Sequence, residues 1–361
     1  MELSATIPAL LSKQVAAYGS ETILRHKDRG IWNAVSWTAL DEQVRRIGEG
    51  LRGTGLRGGE VVAVLSETRP EFVYADLAIL GCGAASVAIS TEADSATVGA
   101  TLRDTGAGLA IVEGEEQLDK LLAVRADCPA LRLIVIIDMK GLRDFRDNGC
   151  TSLSALIEGG GGSNWRAVTA SVMPDQLAAI FVTRDGARHD LTHAGILRQV
   201  DTIGDQLGMR AGDERLAVLP MCDPAERVLG LYAALKHRIV SDYLENPETA
   251  TENLREVKPT VFGANTEAWE RLHARIGALA GNATFIQKRL YQWAVAAGGG
   301  TKQTLARWLV LRAVRAELGF GRLRVAFVGD RPLPDEINAW AEALGITVRY
   351  LNPLAEGETH V

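Results

Sequence analysis

Along most of the chain, short continuous apolar runs alternate with stretches in which apolar residues recur every three or four positions. Runs at 60–65, 85–89, 108–112, 131–137, 177–182, 215–219, 259–262, 323–328 and 346–350 predict strands. Most do not alternate polar with apolar, as expected of strands covered on both faces. Helices are predicted at 38–51, 70–80, 96–105 and 334–344. Thr38 followed by Asp41, and Pro334 followed by Asp335 and Glu336, are favourable helix starts. This alternation predicts an α/β fold of largely parallel, layered sheets flanked by helices. Between the halves lies Glu-Gly-Gly-Gly-Gly-Ser-Asn at 158–164, which reads as a flexible linker. It suggests two α/β subdomains, residues 1–172 and 173–361. A second glycine run, 298–300, interrupts a helical region rich in Ala, Trp and Arg.

Composition narrows the class rather than the function. The 361 residues are 47% hydrophobic and 23% charged, with a net charge of -6. An acidic balance without a basic stripe excludes broad attraction to nucleic acid. Cys82, Cys128, Cys150 and Cys222 are far apart and form no metal-type pair, so they read as buried free thiols of a reducing compartment. The N-terminus has no basic segment ahead of an apolar core, and no run approaches the roughly 18 apolar residues of a membrane span. A cytoplasmic protein without a transmembrane segment is expected.

Three local patterns carry candidate chemistry. Phe-Val-Thr-Arg-Asp-Gly-Ala-Arg-His-Asp-Leu-Thr-His at 181–193 follows a predicted strand and precedes a helix starting near Thr192. A strand–turn–helix junction aims backbone N–H groups and the positive helix end at one point, which suits an anion. Yet phosphate loops are rich in glycine, and here Gly186 stands alone among Arg184, Asp185, Arg188, His189 and Asp190. Residues 48–53 match GxGxxG, but the strand follows instead of preceding, so a helix end and turn is expected. His189 and His193 have metal-like spacing, but Thr192 as helix cap places His189 in the turn before it and no third ligand is near. Trp269, Trp293, Trp308 and Trp340 read as core anchors. The cation-bearing segment 302–315 reads as a solvated helix face, with a face for a partner helix or a membrane surface as the alternative.

Several longer stretches together resemble the adenylate-forming acyl-CoA synthetases of the long-chain fatty acid type. These are 66–91 with its Arg-Pro-Glu helix start, 219–235 with Leu-Pro-Met ahead of Glu-Arg, 245–276, and 323–337 with Gly-Asp-Arg-Pro-Leu-Pro. The resemblance covers nearly the whole chain and implies the fold of that family's N-terminal domain. The family makes an acyl-adenylate from ATP and a carboxylic acid, then passes the acyl group to CoA.

Residue by residue, the resemblance implies a degenerate site. The family's phosphate loop matches 181–193 but is about four residues longer and rich in Gly, Ser and Thr. Thr183, Arg184, Gly186, Arg188, Gly329 and Glu356 stand at its nucleotide and magnesium positions. Of these, Thr183 and Glu356 match the pair that holds magnesium and phosphates. Asp223, Ala225, Gly263 and Ala264 stand at acyl-pocket positions, Asp223 for a histidine and Ala225 for an aromatic residue. Asp330 and Arg331 place charges where small residues admit the adenine base. Asn352 and Ala355 replace the stacking Tyr and the phosphate-binding Thr. The ribose-binding Asp, the hinge and the C-terminal lysine find no counterpart before Val361. The expectation is a non-catalytic homologue that uses no cofactor. It would bind an acyl or other small ligand, an active synthetase or another partner protein, or a second copy of itself. The alternative is a reduced or split AMP-forming acid–thiol ligase that uses ATP and Mg²⁺, with Arg184 and Arg188 replacing the lost loop.

Overall fold

The computed structural model describes residues 5–161, 164–183, 186–281, 289 and 310–354. The chain divides into two compact units. The first comprises Met1–His26, Asn33–Thr202 and Pro220–Asp223; the second comprises Lys27–Trp32, Ile203–Leu219 and Pro224–Val361. This division does not coincide with the expected one after residue 172. The reason lies in 158–164. Helices Leu153–Gly159 and Trp165–Ala170, on either side of it, both pack on helix Trp37–Gly53 of the first unit. A Cβ on Gly160 would lie 2.7 Å from the Gly50 nitrogen. The glycines at this end permit close packing of helices within one unit, where the composition had suggested a linker between two.

The described strands are β1 (Thr22–Asp28), β2 (Ile31–Ser36), β3 (Val61–Leu65), β4 (Ala85–Ala88), β5 (Leu109–Val112), β6 (Leu133–Ile136) and β7 (Cys150–Ser152). They continue with β8 (Leu177–Val182), β9 (Arg188–Thr192), β10 (Glu214–Ala217), β11 (Val240–Tyr243), β12 (Val261–Ala264), β13 (Val325–Val328) and β14 (Val348–Tyr350). They form two seven-stranded sheets, β7-β6-β5-β3-β4-β8-β9 and β14-β13-β12-β10-β11-β1-β2. Neighbours from β7 to β8 run parallel, while β9 returns antiparallel to β8. In the second sheet β10 to β14 run parallel.

Every strand predicted from an apolar run is present, within a few residues. The central ones are apolar throughout because helices cover both faces: β4, β5, β12 and β13 are buried at every position. The strands not foreseen, β1, β2, β7, β9 and β11, are short, polar or part of hairpins. Helix Trp37–Gly53 starts one residue earlier than expected, with Ser36 as its cap: the hydroxyl accepts from the Ala39 N–H at 3.2 Å. Of the cysteines, Cys82 and Cys128 are buried, whereas Cys150 and Cys222 are only half-buried.

Candidate nucleotide and acyl site

The stretch 181–193 is a β-hairpin followed by a helix. Its first arm is β8, its second arm β9, and helix His193–Leu207 begins only after β9 ends. Thr192 is the cap, as expected: its Oγ1 accepts from the Gly195 N–H at 3.1 Å. His189, expected in the turn, is instead a strand residue facing Phe181 across the hairpin. Five residues of strand separate the turn from the helix start, about 17 Å at strand rise. The helix end therefore does not point at the turn, and the dipole argument for an anion there falls.

Among the described residues of the turn, the donors of Thr183 and Gly186 are already used. The Thr183 N–H donates to the Ala187 carbonyl at 2.9 Å, and the Gly186 N–H donates to the Thr183 carbonyl at 2.8 Å. The Thr183 hydroxyl donates to the Ala187 carbonyl at 3.0 Å. Gly186 has φ +84°, a left-handed conformation that closes the turn and favours glycine. Its glycine serves a tight hairpin, where a phosphate loop would leave N–H groups turned outward.

Arg188 is committed as well. Its Nε and Nη2 donate to the two Asp190 carboxylate oxygens at 2.7 and 3.0 Å. Its Nη1 donates to the Asp104 carbonyl at 3.0 Å, and the Asp104 carboxylate lies 3.8 Å away. The hydrogen bond to Asp190, with the nearby charges of Asp190 and Asp104, holds the Arg188 guanidinium above its ordinary pKa. A fork–fork pair of this kind takes the bidentate face that would otherwise suit a phosphate. Arg184 and Asp185 lie outside the described residues.

In the second unit the candidate positions meet one another. Gly329 follows β13 and Ala225 follows the turn in which the Asp223 N–H donates to the Pro220 carbonyl at 2.9 Å. A Cβ on Gly329 would overlap the Ala225 Cβ. These residues stand at the expected adenine and acyl positions, and they are in direct contact. Gly263 and Phe327 are cross-strand partners on β12 and β13, and the Phe327 ring lies over Gly263 where a side chain would otherwise be. Phe327 is buried, as is Ala264.

Asp330 has a local purpose. One carboxylate oxygen accepts from the Thr266 N–H at 2.9 Å and from its hydroxyl at 3.0 Å, at the start of helix Thr266–Gly281. Asn265 accepts from the Ala268 N–H at 2.9 Å. Two side chains thus occupy N–H groups at this helix start. The Arg331 side chain is exposed, with Glu270 at 3.9 Å. Asn352 is exposed and its side chain accepts from the Leu354 N–H at 3.0 Å. Ala355 and Glu356 lie outside the described residues, so Thr183 has no described magnesium partner.

The first unit contains a reversal of strand order that sequence reasoning did not find. Strands β4-β3-β5-β6-β7 have the doubly wound order in which winding reverses between β3 and β5. Ligands of such sheets bind beyond the strand ends at that reversal. Here Glu113, just past β5, occupies it: its carboxylate accepts from the Glu67 N–H at 2.7 Å, the Ser66 hydroxyl at 3.3 Å and Arg69 Nη1 at 2.9 Å. A side chain of the protein has taken the donors a ligand would use.

The other patterns resolve into packing. Gly48 and Gly50 lie inside helix Trp37–Gly53, and Gly53 ends it, as the reversed order of elements implied. Trp165 packs directly against Gly48 and against Gly81 of helix Pro70–Gly81, where a Cβ on Gly48 would collide with its ring. His193 is buried, and its Nδ1 faces the Ile7 N–H at 3.5 Å. No group of three or more His, Cys, Asp or Glu among the described residues is placed to hold a metal. Trp269 and Trp340 are buried in the second unit's core. Trp293, Trp308, 298–300 and most of 302–315 lie outside the described residues. No helix among the described residues is long and apolar enough to cross a membrane. A concavity of 650 Å³ lies elsewhere, in the second unit, lined by Lys27, Gly30, Glu245 and Asn253 among others. Its Lys27, Glu245 and Asn253 are bonded to one another's segments: Lys27 donates to Asn253 at 2.7 Å, and Glu245 accepts the Arg29 and Gly30 N–H groups at 3.0 Å.

The two sheets, their strand order and the placement of these loops define an adenylation-type α/β domain. Residues 11–183 match the family of AMP-binding enzymes. The chain is 30% identical over 242 residues to a putative fatty-acid–CoA ligase, fadD11, of Mycobacterium tuberculosis, covering 60% of this chain and 42% of that protein. It is 24% identical over 378 residues to the long-chain-fatty-acid–CoA ligase ACSBG2 of Xenopus laevis, covering 97% and 51%. Its fold is similar to that of an anthranilate CoA ligase, AuaEII, solved with anthranoyl-AMP, with a TM-score of 0.70 at 19% identity over 97% of this chain and 59% of that one. It also matches the N-terminal domain of FACL13 from Mycobacterium tuberculosis, with a TM-score of 0.70 at 16% identity over 97% and 76%. Residues 11–183 are thus an AMP-binding domain, and the homologues of the chain are fatty-acid–CoA ligases. It spans about half the length of the curated relatives it matches.

Proposed function

We propose that this protein is a non-catalytic member of the fatty-acid–CoA ligase family that acts by binding, either to a partner protein or to an acyl or other small ligand. The observation that carries this reading is the 183–187 turn, whose Thr183 and Gly186 N–H groups and Thr183 hydroxyl all bond within the turn. Adenylation depends on preorganised donors around the transferring phosphoryl group. The Thr183 and Gly186 donors, bonded within the turn, are not presented to a phosphoryl group. The pairing of Arg188 with Asp190, the contact of Ala225 with Gly329, and Phe327 over Gly263 support the same conclusion at three other positions. The residues present do not fit ATP and Mg²⁺, so no reaction step is derived through them.

The second reading is a ligase working in a reduced or split form, with a separate chain supplying missing groups. Homology to fatty-acid–CoA ligases along nearly the whole chain favours it. ATP–pyrophosphate exchange across a panel of fatty acids separates the two. The binding reading expects no carboxylate-dependent exchange above background. Robust exchange that requires a fatty acid would overturn it. Native mass spectrometry of the purified protein then distinguishes an acyl ligand from a co-purifying protein.

A further inference from the structure

The second unit contains a π-helical segment, Ala225–Tyr232, which runs without a break into the α-helix Ala233–His237. π turns are rare and frequently mark functional sites. Two contacts fix this one. Glu226, in its first turn, forms a buried ion pair with Arg215, the side chains being 1% and 4% exposed. Ala225, at its start, is packed directly on Gly329. Gly230 lies beneath the ion pair, where a Cβ would sit 2.7 Å from Arg215 Nη2 and 2.9 Å from Glu226 Oε1. The far end is anchored: Ala233, Ala234 and Leu235 are buried, and Arg238 terminates the helix at φ +57°.

The register of the segment therefore decides both contacts at once. Exchanging i→i+5 for i→i+4 bonds removes one residue from the turn, a rotation of about 100° about the axis. Because 233–237 is held, that rotation falls on Ala225, Glu226 and Arg227. In the α register Glu226 leaves Arg215 and Ala225 leaves Gly329 together.

We propose that Ala225–Tyr232 is a two-register latch: the π register, locked by the Arg215–Glu226 pair, keeps Ala225 seated on Gly329, and the α register opens that contact. The latch concerns how one part of the second unit opens, and it stands whether or not the protein adenylates a carboxylate. It is a bistable element of the kind that ligands or partners bias.

Hydrogen exchange followed by mass spectrometry tests it on the full-length protein, without any nucleotide. Gly230→Ala wedges the ion pair from below, and Ala225→Leu wedges the Gly329 contact. Each is expected to raise exchange about tenfold both in 225–232 and in 329–333, leaving β12 unchanged. Reciprocity is the point: Gly230→Ala must loosen 329–333, and Ala225→Leu must loosen 228–232 around the Arg215–Glu226 pair. If Gly230→Ala leaves 329–333 unchanged, if Ala225→Leu leaves 228–232 unchanged, or if β12 rises by the same factor because the unit unfolds as a whole, the latch is wrong. Should Gly230→Ala fail to fold, Ala225→Leu alone still decides, through its effect on 228–232. The pyrophosphate exchange assay reads a separate quantity, so failure of the functional proposal and failure of the latch are distinguishable.

Discussion

At the scale of single residues, the glycines divide sharply by what surrounds them. Gly48 and Gly53 belong to the same helix and to the same GxGxxG match, yet only Gly48 has a neighbour where its side chain would be. Gly48→Ala is expected to lower stability by about 1–3 kcal/mol, because the new methyl must displace the Trp165 ring. Gly53→Ala meets nothing closer than 3.8 Å and is expected to be neutral or to stabilise by up to about 1 kcal/mol through helix propensity. Urea unfolding of the two variants measures the difference; equal effects would mean that Trp165 does not set the packing there. His193 carries a second expectation. Burial pushes its pKa down to about 4, opposed by the charge of Asp76, from an ordinary 6.5. A folded-state value below the unfolded one means that the unfolded chain takes up the proton first as pH falls. The stabilisation is therefore full above about pH 6.5 and is lost between there and pH 4, a span worth about 3 kcal/mol. Stability measured across that window should fall with acid in the wild type and fall less in His193→Gln.

At the scale of elements, what could be read from sequence depended on whether an element's reason for existing is local. The buried strands β3, β5, β8 and β13 announce themselves as apolar runs because both faces are covered. β9 does not, because Arg188, His189 and Asp190 give a polar edge strand no hydrophobic signature. Missing it turned a hairpin into a supposed strand–turn–helix junction, and with it the argument for an anion at a helix end. The β1–β2 turn was equally hidden. Arg29 and Gly30 both have positive φ, but Arg is not the residue that such a turn normally selects. The turn is held by Glu245, more than two hundred positions away, which accepts both N–H groups. Asp330 is the counterpart in the site itself. Its charge looked like simple damage to a ligand loop, whereas the structure gives it a helix start to cap. Asp330→Gly, which makes the position resemble the family, is expected to cost about 1 kcal/mol of stability. Chemical denaturation checks this, and a stabilised Asp330→Gly variant would show that the cap is not worth having.

At the scale of the whole molecule, the sequence pointed to the fatty-acid–CoA ligases that are its homologues, but not to how the candidate positions fit together. The resemblance treated the loop, the base platform and the acyl pocket as separate losses. In the structure each has acquired an internal substitute: turn carbonyls for Thr183 and Gly186, Ala225 for Gly329, Phe327 for Gly263. The turn belongs to the first unit and the contacts at Gly329 and Gly263 to the second, so repairing the loop leaves those two in place. Grafting the family's glycine-rich loop onto 183–188 is therefore expected to leave ATP–pyrophosphate exchange at background, even where the grafted protein folds with wild-type stability. Phe327→Ala supplies the complementary measurement. Removing a buried ring is expected to cost about 3–5 kcal/mol and to leave an apolar cavity beside Gly263 that admits a small apolar probe such as benzene, seen as a rise in melting temperature with added probe. If the loop graft alone restored carboxylate-dependent exchange, the closed contacts in the second unit would have to open readily, and the binding-only reading would give way to that of a ligase held back by one loop.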